Sequence, residues 1–250
     1  MGIPTAERFL YLPAAGLAFW MGHLLARSRL RYVAVACLLT LTVARSGVWR
    51  SSESLFAATE RVAETPGTLL HRTSIHLAKA RACFAEGDRN GVRSEVLEVA
   101  RAADSACRLL QRQLGGPWAA LGGTVQVRKA EALILEGRDR EALRAAAEAL
   151  RWSEEARAHS AAAVALHRLG HLEAVVREAE FAIQGGDSAP YLRLLLTDSL
   201  NRIAADHEAK GRPEEARDLY LRSWQALPDP ASNPMAAEAL RRTKADTFHR

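Results

Sequence analysis

The sequence lacks the motifs that mark a catalytic or metal site. It contains three cysteines, and their spacing fits neither a zinc site nor a CxxC redox pair. The P-loop, the GxGxxG dinucleotide pattern and the GxSxG nucleophile pattern are all absent. We therefore predict no metal and no cofactor, and no residue of the chain is a candidate for catalysis.

Cysteine and histidine offer two weaker possibilities for such sites. Cys83 and Cys107 can pair only in an oxidising compartment and with close backbone approach, so we expect them to stay free. His167 and His171 have the i, i+4 spacing of a metal-binding pair, but Gly170 stands between them at a predicted helix end. We interpret these histidines as solvated or groove-lining side chains, since no third ligand is evident.

The chain is basic, but its basic residues do not cluster. Its net charge is +5 and its isoelectric point is near 9.4. Most of the arginines are scattered along helical patterns and interleaved with glutamate and aspartate. This arrangement is unlike the basic patch of a nucleic-acid-binding protein, so we expect no nucleic-acid partner.

Two apolar segments predict a transmembrane hairpin within residues 1–50. The first predicted helix, about residues 9–26, has one strongly polar residue and a length of about 27 Å, close to the thickness of a hydrocarbon core. The second, about residues 32–49, has Arg45 near its end, where a long side chain can reach the headgroups. The alternative is that both are buried helices of a soluble bundle.

The loop between these segments predicts the orientation. It reads RSRLR, residues 27–31, and positively charged loops stay in the cytoplasm. Everything after Trp49 then lies on the outer side of a bacterial cytoplasmic membrane. The opening also lacks the basic start, short apolar core and cleavage site of a secretory signal peptide.

Residues 51–250 have the pattern of a tetratricopeptide-like solenoid of paired helices. Near its end Gly211 is predicted to end one helix and Pro213 to begin the next. Matching arrangements recur upstream, and Gly137 and Gly170 lie close to one period of this repeat apart. The predicted turn and packing positions are Ala130, Gly137, Ala142, Ala149, Gly170, Ala182, Gly211, Ala216, Tyr220 and Pro228.

The first copy of the repeat is less regular. It lies around Gly87, which is too far from Gly137 for a single repeat. We expect residues 104–123 to add a helix and a glycine-rich corner, with turns at 115–116 and 122–123. A polar helix within residues 233–248 is expected to cap the last repeat.

A polar cluster stands at the outer mouth of the first predicted membrane helix. It consists of Glu7, Arg8 and Tyr11. An arginine there can bind a lipid phosphate through two hydrogen bonds, with the tyrosine hydroxyl as a further donor. Interfacial anchoring of the helix is the alternative. Membrane lipid is therefore one expected partner.

The segment AERFLYLPAAGLA, residues 6–18, resembles a motif of a known family. The motif, E-R-Y-L-Y-L-P-S, lies late in the membrane part of the transmembrane and tetratricopeptide repeat-containing O-mannosyltransferase-like proteins and their bacterial relatives. Phe9 replaces its usual Tyr and Ala14 its usual Ser, and SGVWRSSESLF, residues 46–56, resembles the junction that leads into the repeats. The resemblance implies the C-terminal part of such a protein, without the earlier helices and the acidic residues that carry catalysis.

Three functions remain open from the sequence. The first is a membrane-anchored interaction module, because stacked helix pairs form a groove that binds peptides or partner helices. The second, implied by the resemblance, is the acceptor-binding part of a lipid-linked sugar glycosyltransferase whose catalytic part is a separate polytopic chain. The third is a soluble helical-repeat scaffold.

Overall fold

The computed structural model describes residues 64–111, 118–153 and 156–227, and outside these ranges only Thr40 and Glu238. The three ranges contain eight α-helices and no β-strand. In chain order the helices are α1 (Pro66–Glu86), α2 (Arg89–Gln111), α3 (Trp118–Glu136), α4 (Asp139–Trp152), α5 (Ala156–Leu169), α6 (Leu172–Gln184), α7 (Pro190–Ala209) and α8 (Pro213–Ala226). The predicted all-helical class is confirmed for this part of the chain.

The eight helices form four successive pairs, which we call the array. Each pair, α1/α2, α3/α4, α5/α6 and α7/α8, packs closely together, and its second helix also packs against the first helix of the next pair. The first helices of successive pairs contact one another, whereas the second helices do so hardly at all. The first helices α1, α3, α5 and α7 therefore form an inner layer, and the second helices form an outer layer.

A glycine in the left-handed conformation ends the first helix of every pair. Gly137 has a φ of 81°, and its N–H donates to the carbonyl of Ile134 at 3.1 Å. The next N–H, of Arg138, reaches back to the carbonyl of Leu133 at 2.9 Å, which completes a Schellman turn. The same pair of bonds recurs at Gly87, Gly170 and Gly211, whose φ angles are also positive.

The small residues predicted from the repeat pattern lie between packed helices. Ala130, Ala142, Ala149, Ala182 and Ala216 are at most 1% exposed, and Tyr220 is buried with Ala204 and Ala216 between α7 and α8. A methyl side chain at each contact lets two helices approach closely, since a larger one would have to displace its neighbours.

The spacing of the repeats is irregular because some helices are longer than others. Gly137 and Gly170 are 33 residues apart, but Gly87 and Gly137 are 50 apart. The outer helix α2 has 23 residues, whereas α4 has 14. The expected additional helix within residues 104–123 is wrong for the described residues, because 104–111 continue α2 and 118–123 begin α3.

The predicted turn at Gly122 and Gly123 is also wrong, because both residues lie inside α3. A Cβ atom on Gly122 would lie 2.6 Å from the Trp152 ring, and one on Gly123 would overlap the Ser153 hydroxyl. The two glycines therefore leave room for the end of α4 to pack against the surface of α3. The two glycines allow a close helix contact and do not break the helix.

Several sequence-based predictions lie outside the described residues. They are the two apolar segments, the cluster of Glu7, Arg8 and Tyr11, the turn at 115–116, Pro228, and the capping helix apart from Glu238. Within the described part of the chain, no helix is both long enough and apolar enough to cross a bilayer.

Candidate functional site

The inner layer carries a depression lined by residues from the first helices of the four pairs. Side chains from α1, α3, α5 and the start of α7 enclose a cavity of about 210 Å³ in it. We call this surface the inner groove. The polar side chains of its cavity are Arg81, Glu131, Arg157, Ser160, Asp187 and Tyr191.

Glu131 of α3 binds arginines from the pairs on both sides of its own. Its Oε2 lies 3.0 Å from the Arg81 guanidinium of α1, and its Oε1 lies 2.5 Å from that of Arg157 of α5. The glutamate is half-buried while both arginines are exposed. Single pairs of this kind contribute at most about 1 kcal/mol, but a shared carboxylate connects three helix pairs through one side chain.

Two further arginines connect first helices by binding backbone carbonyls. Arg128 of α3 donates to the carbonyl of Leu70 in α1 at 2.7 Å. Arg168 near the end of α5 donates to the carbonyl of Ile134 in α3 at 2.5 Å. These two contacts join the first helices of neighbouring pairs through side chains as well as through packing.

One face of α7 is exposed beside this network. Tyr191 and Leu194 are 46% and 60% exposed, and Asp198 and Arg202 continue the same helical face at the next two turns. In the same stretch of α7, Leu192 and Leu196 are buried in the core. Tyr191 and Leu194 therefore form an apolar surface beside the charged floor of the groove.

Asp187 joins α5 to the start of α7. Its Oδ1 accepts the Ala189 N–H at 3.0 Å, and its Oδ2 accepts the Ser160 hydroxyl. Burial raises the pKa of the Tyr191 phenol, and the negative charges of Asp187 and Glu131 raise it further, while a hydrogen bond with Ser160 opposes them. The phenol is therefore neutral at physiological pH and can donate a hydrogen bond.

Several histidines of the array lie beside carboxylates. His76 lies 2.6 Å from Glu95, and His159 lies 2.7 Å from Glu178. His167 approaches Asp198 of the groove face at 2.8 Å. Among the described residues no group of three or more histidine, cysteine or acidic side chains is arranged to hold a metal ion. His171, predicted beside a helix end, is the residue immediately before α6.

Cys83 and Cys107 are both free thiols. Cys107 is buried, and burial raises the pKa of its thiol although a hydrogen bond from Gln126 opposes the effect. A thiol in such surroundings is a weak nucleophile. Neither cysteine lines the inner groove cavity.

A larger cavity, about 470 Å³, lies between α6, α7 and α8. Its apolar floor includes Val176 and Ile203, which are only 7% and 9% exposed. Its rim is charged, and Arg222 there binds Glu180 at 2.6 Å. We take the inner groove as the candidate for binding because Tyr191 and Leu194 are exposed beside it.

The array as a whole is electrically neutral. Residues 64–227 contain 23 lysines and arginines and 23 aspartates and glutamates, so the net charge of +5 comes from residues outside this range.

Sequence reasoning did not identify the groove residues. Arg81 and Glu131 are 50 positions apart and Arg157 is a further 26 along, so their meeting depends on how helix pairs stack. The exposed residues of α7 follow the helical spacing i, i+3 and i+7, but buried residues follow the same spacing. The sequence pattern alone therefore does not show which face is exposed.

No protein-family model and no curated protein matches the chain. Among solved structures, the crystal structure of MamA protein is 12% identical and aligns over 69% of this chain and 88% of that one, with a TM-score of 0.39. The crystal structure of BtubC from P. vanneervenii is 16% identical over 73% of this chain and 91% of that one, with a TM-score of 0.33. With scores this low, the description of the fold rests on the geometry of the chain itself.

Proposed function

We propose that the array is a protein-interaction module whose inner groove binds a segment of another protein. The observation that carries the proposal is the exposed pair Tyr191 and Leu194 on one inner-layer helix, of which Tyr191 lines the cavity together with the charged side chains. Aromatic and aliphatic side chains on a rigid, concave surface are typical anchors for a partner.

Site-specific photo-crosslinking tests this function. A photoreactive amino acid replaces Leu194 of the inner layer or, as a matched control, Leu97 of the outer helix α2. Leu97 is 46% exposed and Leu194 is 60% exposed. We expect covalent adducts with a second protein at position 194 and not at 97. Tyr191→Glu in the same chain should reduce them, because a charge would replace the apolar contact.

Adducts of equal yield at positions 194 and 97 would contradict the proposal, because contact would then not be confined to the inner layer. The complete absence of adducts at 194 in cells that produce the full chain would contradict it as well. The control uses the same residue type at a similar exposure, so the comparison reports on location alone.

We further propose that the predicted hairpin of residues 1–50 anchors the array to a membrane, with the array on the outer side. The apolar length of residues 9–26 and the basic loop at 27–31 support this. A topology reporter fused after residue 60 should report an extracytoplasmic position. A cytoplasmic signal, or release of the chain by alkaline carbonate, would favour the soluble scaffold.

A second candidate function follows from the motif at Glu7–Pro13, which resembles that of the O-mannosyltransferase-like family. The array would then be the acceptor-binding part of a lipid-linked sugar glycosyltransferase, with catalysis supplied by a polytopic membrane partner. Copurification with such a partner, and sugar transfer only when both chains are present, would support it. Arg8→Ala should weaken lipid-phosphate binding by the intact assembly if the opening cluster binds the donor headgroup.

A further inference from the structure

Asp187 differs from the other carboxylates of the inner groove. Glu131 has two arginine partners, and Asp198 lies beside His167 and Arg202. Among the described residues, Asp187 has no cationic side chain within ion-pairing distance. Its oxygens accept hydrogen bonds from Ser160 and the Ala189 N–H, so its charge is solvated by dipoles and not neutralised.

The surface next to this carboxylate suits a cation followed by an apolar group. Tyr191 lines the same cavity as Asp187 and is about half exposed. A cation beside an aromatic face gains about 0.5–1 kcal/mol at exposed sites. Leu194 lies about 4.5 Å further along the axis of α7, since each residue rises 1.5 Å.

The positive charges of the cavity are compensated only in part by Glu131, because Arg81 and Arg157 share this single carboxylate. Arg157 also lines the cavity, but its guanidinium is bound to Glu131 at 2.5 Å. The negative charge of Asp187 also raises the pKa of the Tyr191 phenol, although by less than burial does. Asp187 and the aromatic ring would each attract an incoming cation, whereas Arg81 and Arg157 of the same cavity would oppose it.

We propose that this end of the inner groove selects partner segments in which a lysine or arginine stands next to a bulky apolar residue. The basic group binds Asp187 and lies against Tyr191, and the apolar side chain packs on Leu194. This inference rests on the proposed interaction function and adds to it the chemistry of the partner.

Asp187→Asn is the informative variant. The asparagine oxygen can still accept the Ala189 N–H, so the turn before α7 is kept while the charge is removed. The matched control is Asp198→Asn, which removes a carboxylate of the same helical face that already has Arg202 as a cationic neighbour. Both variants should show the helix content and elution volume of the parent chain.

The probe is a random peptide library displayed on phage, selected on the full chain in detergent. We expect peptides enriched in a lysine or arginine adjacent to a large apolar residue. In selections on Asp187→Asn, enrichment of lysine or arginine should disappear while enrichment of the large apolar residue persists. In selections on Asp198→Asn, both enrichments should persist. A single selected peptide should bind Asp187→Asn about three- to tenfold more weakly, as expected for a half-exposed charge pair.

Two outcomes overturn the inference and are distinguishable. If peptides are enriched without a basic residue, or with one that persists on Asp187→Asn, the charge preference is wrong and the interaction function stands. If no peptide is enriched and Leu194 gives no crosslinks, the interaction function fails together with the inference.

Discussion

Nδ1 of His76 lies 2.6 Å from Oε2 of Glu95, and this bond joins the two helices of the first pair. His159 and Glu178 repeat it in the third pair at 2.7 Å. In both pairs the histidine precedes the turn glycine by 11 residues and the glutamate follows it by eight. Two copies of the repeat thus share a polar contact as well as a backbone turn.

A double-mutant cycle on His76 and Glu95 should show that the bond stabilises the pair. Each single change to alanine removes the contact, and the coupling energy of the double variant should be about 1 kcal/mol, typical of a partly buried hydrogen bond. The measurement is urea unfolding followed by circular dichroism. The cycle on His159 and Glu178 should give a similar value, and a coupling near zero at both would contradict the prediction.

Gly122→Ala should destabilise the array by about 1–3 kcal/mol. Alanine favours a helix by about 1 kcal/mol over glycine, but here its methyl group would overlap the Trp152 ring. The test is thermal unfolding of Gly122→Ala in the parent chain and in a Trp152→Ala background. In the Trp152→Ala background the loss of stability caused by Gly122→Ala should vanish or reverse. An equal loss in both backgrounds would show that Trp152 does not cause the overlap.

The stability of the array should fall in acid partly because of Glu98. Burial raises the pKa of this carboxyl, but hydrogen bonds and charges of Arg101 and Arg72 outweigh it, so the pKa is lowered overall. A carboxyl whose pKa is lower in the folded state than in the unfolded state, where it is about 4.3, stabilises the fold at pH values above 4.3. This contribution is lost as the pH falls through the pKa of the folded state.

Arg72→Gln isolates this contribution. At pH 7 it should lower the unfolding free energy by about 0.5 kcal/mol, and the difference from the parent chain should disappear once Glu98 is protonated in both states. Urea unfolding at several pH values measures it. A difference that stays constant from pH 7 to about pH 2 would contradict the electrostatic origin.

Cys107 should resist alkylation in the folded chain. Burial raises the pKa of its thiol and also blocks access, whereas Cys83 is only partly buried. Iodoacetamide labelling followed by peptide mass spectrometry should modify Cys83 at least about tenfold faster. The two rates should become equal in denaturant, and equal rates in the folded chain would contradict the described burial.

Local signals predicted much of the array and failed where distant residues meet. Gly137 and Gly211 end helices because they adopt a backbone conformation that other residues disfavour, and sequence spacing shows such positions. The role of Gly122 depends on Trp152, 30 residues away, so it was misread as a turn. The contacts of Glu131 span 26 and 50 residues and depend on how the pairs stack.

The electrical neutrality of residues 64–227 has a kinetic consequence for any partner of the array. The array itself adds no long-range attraction through net charge, so we expect a partner to associate with it at about the unsteered rate, 10⁵–10⁶ M⁻¹s⁻¹, with little dependence on ionic strength. Preference among partners would then appear in how slowly each complex dissociates.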